Sequence, residues 1–182
     1  MLKLTSNVDQ IKKMSLTFLL LAFVTNVFAT DFYVYEGATY PHYTSISEAV
    51  NQAYNGDRVL IAEGLYLGDV EIGAKSITIA PMLLGGHYTL VGNFIINQMG
   101  NLNGDREATI IGAIISVVGS GGNNNLNGFT CTVNLIDCQI GALTSSSPNV
   151  MLNLYYNQFT LQSSYITVYT FGDVIGNDFI NN

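Results

Sequence analysis

Three kinds of side chain in this sequence could do chemistry, and their placement tells them apart. Hydrolysis of a glycosidic bond needs two carboxyl groups converging on one strand face as acid and base. The nearest such grouping is Asp173 with Asp178, and Asp137 lies further back. Gly172 before Asp173 marks a turn and Asp178 reads as solvent-facing, so no catalytic residue is assigned. A lyase acting next to a uronate needs a strong base beside its carboxylates. The only basic residues after position 29 are Arg58, Lys75 and Arg106, all ahead of the regular repeats. His42 follows Pro41 and His87 follows Gly85-Gly86, neither with an acid close by in sequence, and both read as structural or exposed.

Tyrosine offers contact chemistry instead. If Ile166 and Val168 point inward, then Tyr165, Thr167 and Tyr169 point outward, and Tyr155 follows an inward Leu154 one repeat earlier. Together with Asn153, Gln158 and Gln162 these rings would make a strip able to stack on sugar rings and hydrogen-bond their hydroxyls. The competing reading is that tyrosine simply favours strands. Ligand contact is therefore expected, weakly, at Tyr155, Tyr165, Tyr169, Asn153 and Gln158, with a neutral polysaccharide as the partner.

Cys131 and Cys138 are the only cysteines. Alternation through Cys131, Val133 and Leu135 turns Cys131 inward, and Cys138 sits one corner later. Two inward thiols of one coil could meet as a disulfide in an oxidising compartment, or stay as small buried hydrophobes. No histidine or third cysteine lies near enough for a metal site. Calcium would need several carboxylates at the corners, where asparagine mostly stands instead, so no cofactor is expected, with calcium as the alternative left open.

The elements that must position these residues announce themselves by repetition. A polar residue, any residue and an apolar one recur at Cys138-Gln139-Ile140, Asn157-Gln158-Phe159 and Asn177-Asp178-Phe179, the scale on which a solenoid adds a coil. Each copy follows a short alternating run: Val133 to Leu135, Val150 to Leu154, and Ile166 to Val168. Period-2 alternation is the mark of a strand with one buried face. A single coil cannot bury its apolar side, whereas stacked coils can. Asn157 and Asn177 at equivalent corners, with Cys138 below, suggest a ladder of side chains satisfying turn backbone groups.

Ahead of the repeats stands one helix. Ser45 as N-cap with Glu48 three residues on forms a capping box, Ile46, Ala49, Val50 and Ala53 share a face, and Asn55-Gly56 supplies the stop. Such a helix suits the open end of a stack of strands. Strands follow over 58–62, 65–67, 70–72 and 77–80, with Ile77 and Ile79 inward. Strands resume over 88–91 and 94–96, and an apolar run fills 109–118.

The stretches Tyr43 to Val50 and Asn55 to Tyr66, with Ile77-Thr78-Ile79, resemble the N-terminal cap and first coils of right-handed parallel β-helix proteins, the superfamily of pectin methylesterases and pectate lyases. The likeness covers roughly Thr30 to Ala80. It implies an all-β, right-handed parallel β-helix with an N-terminal capping helix. Gly104 to Gly112 is loosely similar to a run that the pectin methylesterases carry upstream of their active site. Their catalytic segment of two aspartates, a glutamine and an arginine has no counterpart after Gly112, so the resemblance implies the fold rather than the activity.

The expected organisation is a signal peptide over 1–29, then one domain over 30–182. Within it, 30–56 form the strand and cap helix, 57–125 irregular first coils, and 126–182 regular coils. Lys12-Lys13, the apolar stretch Leu16 to Val27 and Ala29 as a cleavage point fit a secretory signal, with Met1 or Met14 as the start. The protein is thus expected to be secreted, periplasmic or on the cell surface. Beyond position 29, twelve acidic residues face three basic ones, a field that repels nucleic acid. The last repeat shows no capping element, so the chain is expected to be part of a longer protein or to self-associate through that coil. A carbohydrate-binding or structural surface module without catalysis is the leading expectation. The N-terminal part of a polysaccharide lyase, pectin esterase or glycoside hydrolase is the alternative.

Overall fold

The computed structural model describes residues 29–73, 75–96, 106–120, 131–145, 150–160, 166–167 and 170–180. Residues 1–28 of the signal segment expected over 1–29, together with Gln162, Tyr165, Val168 and Tyr169, lie outside the described residues.

The chain is a parallel β-solenoid made of two sheets. One sheet, A, stacks β1 (Asp31–Val34), β2 (Arg58–Ile61), β5 (Ile77–Pro81), β7 (Arg106–Ile111), β9 (Cys131–Ile136), β11 (Val150–Tyr155) and β14 (Thr170–Ile175) in that order. The other, B, runs from β3 (Leu65–Leu67) and β4 (Val70–Ile72) through β6 (Tyr88–Ile96), β8 (Ala113–Ser120) and β10 (Gln139–Ser145). It ends on β12 (Gln158–Thr160), β13 (Ile166–Thr167) and β15 (Asp178–Ile180). Every pairing is parallel. Each coil contributes a strand to A, turns a tight corner, and contributes to B.

Stacking in register turns the alternation of each strand into columns. Val59, Ile79, Ile110, Leu135 and Leu154 succeed one another on the inner face of sheet A, each almost fully buried. Tyr66, Leu90, Ile115, Ile140 and Phe159 do the same in sheet B. A column fills the interior where a lone coil would leave it open, and each fully buried large apolar side chain contributes about 1.5–3 kcal/mol. Ile77 and Leu152, expected to face inward, are both buried.

The start of the stack is covered by α1 (Ile46–Gln52), which buries Ile46, Ala49 and Val50. Ser45 caps it by accepting the Glu48 amide hydrogen at 3.4 Å. The helix ends at Ala53 rather than at Asn55-Gly56, where Lys75 Nζ donates to the carbonyls of Val50 (2.8 Å) and Ala53 (2.9 Å), groups that a helix end otherwise leaves open. Buried Asp57 ties the cap to the first strand by accepting from the Thr30 and Tyr54 amides at 2.8 and 2.7 Å.

Three expectations change. The apolar run over 109–118 is two strands on different sheets, broken at Gly112, whose φ is +65°. A Cβ there would also meet the Gly86 carbonyl oxygen at 2.7 Å, so only glycine fits this corner. The segments 88–91 and 94–96 are one strand with a register shift between Leu90 and Asn93. Finally, Ile166–Thr167 does not precede Asn177 in the way that Val150 to Leu154 precedes Asn157. It pairs with Leu143 and Thr144 of sheet B, and the strand equivalent to β11 is Thr170–Ile175. Period-2 alternation identifies a strand but not the sheet it joins.

Candidate functional site

The corner between the sheets is where the coils of the second half are most alike. Gly112, Asp137, Tyr156 and Gly176 occupy it in successive coils, with φ of 65°, 53°, 58° and 65°. Their amides donate up the stack: Gly112 to the Ile136 carbonyl (3.0 Å), Asp137 to that of Tyr155 (3.0 Å) and Tyr156 to that of Ile175 (2.9 Å). The left-handed turn aims these N–H groups along the solenoid axis, so the corner keeps its backbone paired.

Just inside the corner stands the expected side-chain ladder. Asn157 is fully buried, accepts the Cys138 amide at 2.9 Å and donates to the Leu135 carbonyl at 2.8 Å. Asn177 repeats this one coil on, accepting from the Asn157 backbone at 2.9 Å and donating to Leu154 at 2.9 Å. Cys138 fills the same position with a thiol directed at the Ile110 and Ile136 carbonyls, 3.5 and 3.3 Å away. Burial pushes its pKa up to about 12, so this sulfur is a poor nucleophile. Tyr88 heads the column: it pairs with Ala113, is buried, and its hydroxyl has no hydrogen-bond partner among the described residues. Burial raises the Tyr88 pKa well above the ordinary phenol value.

Cys131 and Cys138 are not bridged to each other, and both are buried. Cys131 opens β9 and Cys138 lies beyond its end. Six extended residues at about 3.3 Å each hold the two far outside bridging distance.

The outer face of sheet A carries Thr109, Asn134 and Asn153 in register. Asn153 donates to Asn134 Oδ1 (2.8 Å) and accepts the Asp173 amide (2.9 Å), while Asn134 donates to Thr109 Oγ1 (3.1 Å) and Glu107 Oε1 (2.6 Å). The Asn153 amide oxygen fills the space that a side chain at Gly172 would need. Tyr155 stands on the same face, its hydroxyl donating to Asp173 Oδ2 at 3.0 Å, a bond that holds the phenol pKa up.

Of the residues expected to contact ligand, Tyr155 and Asn153 therefore share a face. Gln158 does not join them: it lies past the corner on the outer face of sheet B, where Gln139 donates to it at 3.3 Å. Tyr165 and Tyr169 fall outside the described residues. Asp173 and Asp178 lie on different sheets, either side of the Gly176 corner, so they do not converge as an acid and base pair.

Two features escaped the sequence reading. His87 Nε2 comes within 3.5 Å of Asp137 Oδ2, although 50 positions separate them in the chain. Tyr156 sits exposed at a left-handed corner. Its asparagine-rich surroundings were visible in sequence, but the sign of its φ was not. Among the described residues no three His, Cys, Asp or Glu side chains gather as metal ligands would. Arg58 is held by Asp31 through two contacts of 2.7 Å. Comparison with protein-family models, with curated proteins and with solved structures returned no match, so the reading of function rests on these side chains.

Proposed function

We propose that this chain is an exported or cell-surface β-solenoid module of the pectin lyase-like kind that binds neutral carbohydrate and performs no catalysis of its own. The observation that carries the reading is the row Thr109, Asn134 and Asn153 on the outer face of sheet A, flanked by the Tyr155 ring. Fixed amides and hydroxyls beside an aromatic ring suit the alternating polar and apolar surface of a sugar. Because the ladder already holds these groups in place, little ordering entropy is lost on binding. The fold is shared by enzymes and binders alike, so it does not favour catalysis. A glycan array probed with the chain over 30–182 tests the reading: binding to one class of neutral glycan is expected, and no binding to any would defeat it.

The same reading includes association of two copies through the last coil, where Val174 and Phe179 are 50% and 55% exposed. Light scattering should show mass rising with concentration, and Phe179→Lys should abolish the rise; a concentration-independent monomer would remove this part.

A further inference from the structure

We propose a second sugar-contacting site at the corner edge formed by His87, Asp137, Tyr156 and Gln158, with the apolar face of a neutral pyranose on the Tyr156 ring and its hydroxyls on Asp137 and Gln158. This rests on the carbohydrate reading above and adds a contact at the corner to the one on the outer face of sheet A.

Tyr156 is the residue that demands an account. It holds φ of +58° at a position where the neighbouring coils use Asp137 and Gly176. A bulky side chain is disfavoured there, and at 64% exposure Tyr156 gains little from core packing. An aromatic residue kept in a costly conformation at the surface points toward function. Its ring is also seated. A Cβ on Gly176 would fall 2.5 and 2.7 Å from Tyr156 Cδ1 and Cε1, so the ring lies over the bare glycine backbone of the next corner. One side rests on the protein and the other is open, which is the form of a stacking platform.

The polar groups around the platform match sugar hydroxyls. Asp137 occupies the same corner one coil away, about 4.8 Å along the axis, within the reach of a single pyranose. Its carboxylate is half-exposed and held at 3.5 Å by His87, which reaches it across the intervening Gly112 corner. Gln158 and Gln139, paired at 3.3 Å, open onto the adjoining face with amide groups that both donate and accept. The acidic balance of the chain disfavours an anionic polymer and leaves neutral glycans as the class.

Isothermal titration of the chain over 30–182 with cellotriose, xylotriose, mannotriose and galactotriose tests the site. At least one should bind. Tyr156→Gly should weaken that binding tenfold or more while the melting temperature stays the same or rises, because glycine prefers this backbone conformation. Asp137→Asn should weaken binding several-fold, and Tyr156→Phe should retain it. Unchanged affinity in Tyr156→Gly, or loss of binding accompanied by a lower melting temperature, overturns the proposal. If Tyr155→Ala alone abolishes binding, the corner is wrong and the carbohydrate reading stands. If the unaltered chain binds none of the four and no neutral glycan on an array, the carbohydrate reading itself fails.

Discussion

The first and the last of the described coils are built alike but covered differently among the described residues. At the first, α1 lies over the sheets, and Val34, Val59 and Ile61 beneath it are fully buried. At the last, Val174 continues the inner column of Leu135 and Leu154, and Phe179 stacks on Phe159 at 5.0 Å. Both residues nevertheless remain about half exposed. Direction and burial are thus separate properties. Alternation along the strand decides which way a side chain points; a covering layer on the far side decides whether water is excluded.

The sharpest way to break this comparison is to place one charge at two points of one column. Leu135→Asp should prevent folding, because an unpaired carboxylate between two coils costs several kcal/mol. Val174→Asp should cost about 1 kcal/mol or less, since water already reaches it. Urea titration followed by circular dichroism measures both. Equal losses would mean that the last coil is covered.

The ladder gives the next contrast. Asn157→Ala removes a buried amide bonded to coils on both sides and should cost about 2–3 kcal/mol. Asn177→Ala, with a coil on one side among the described residues, should cost about 1 kcal/mol. At the capped end, Asp57→Ala frees two amides and should cost about 1–2 kcal/mol, read as a loss of helical ellipticity ahead of the strands. Loss of helix and strands together would show that the cap and the stack unfold as one unit.

The smallest effect is a dependence on pH. The Cys138 thiol has its pKa raised from 9.0 to about 12 by burial, so the folded state favours the protonated form more than the unfolded state does. The associated stability is complete below pH 9 and is lost as pH rises toward 12. The melting temperature should therefore fall between pH 9 and 11, and less steeply in Cys138→Ala. A thiol reagent at pH 8 should leave the folded chain unmodified and label both cysteines after denaturation.

Much of this architecture is local information. The Ser45 cap, the inward phase of Ile77 and Leu152, and the roles of Asn157 and Asn177 follow from residue types at fixed offsets, because capping, alternation and corner hydrogen bonding act over a few residues and one coil. Other features depend on contacts between segments far apart in the chain. Only the register of neighbouring coils sends Ile166–Thr167 to sheet B. The corner site is the clearest case. The sequence supplies a histidine, an aspartate, a tyrosine and a glutamine spread over 87–158. The tight turn that aligns Asp137 with Tyr156, and the bare glycine at 176 that seats the Tyr156 ring, exist only once the coils are stacked.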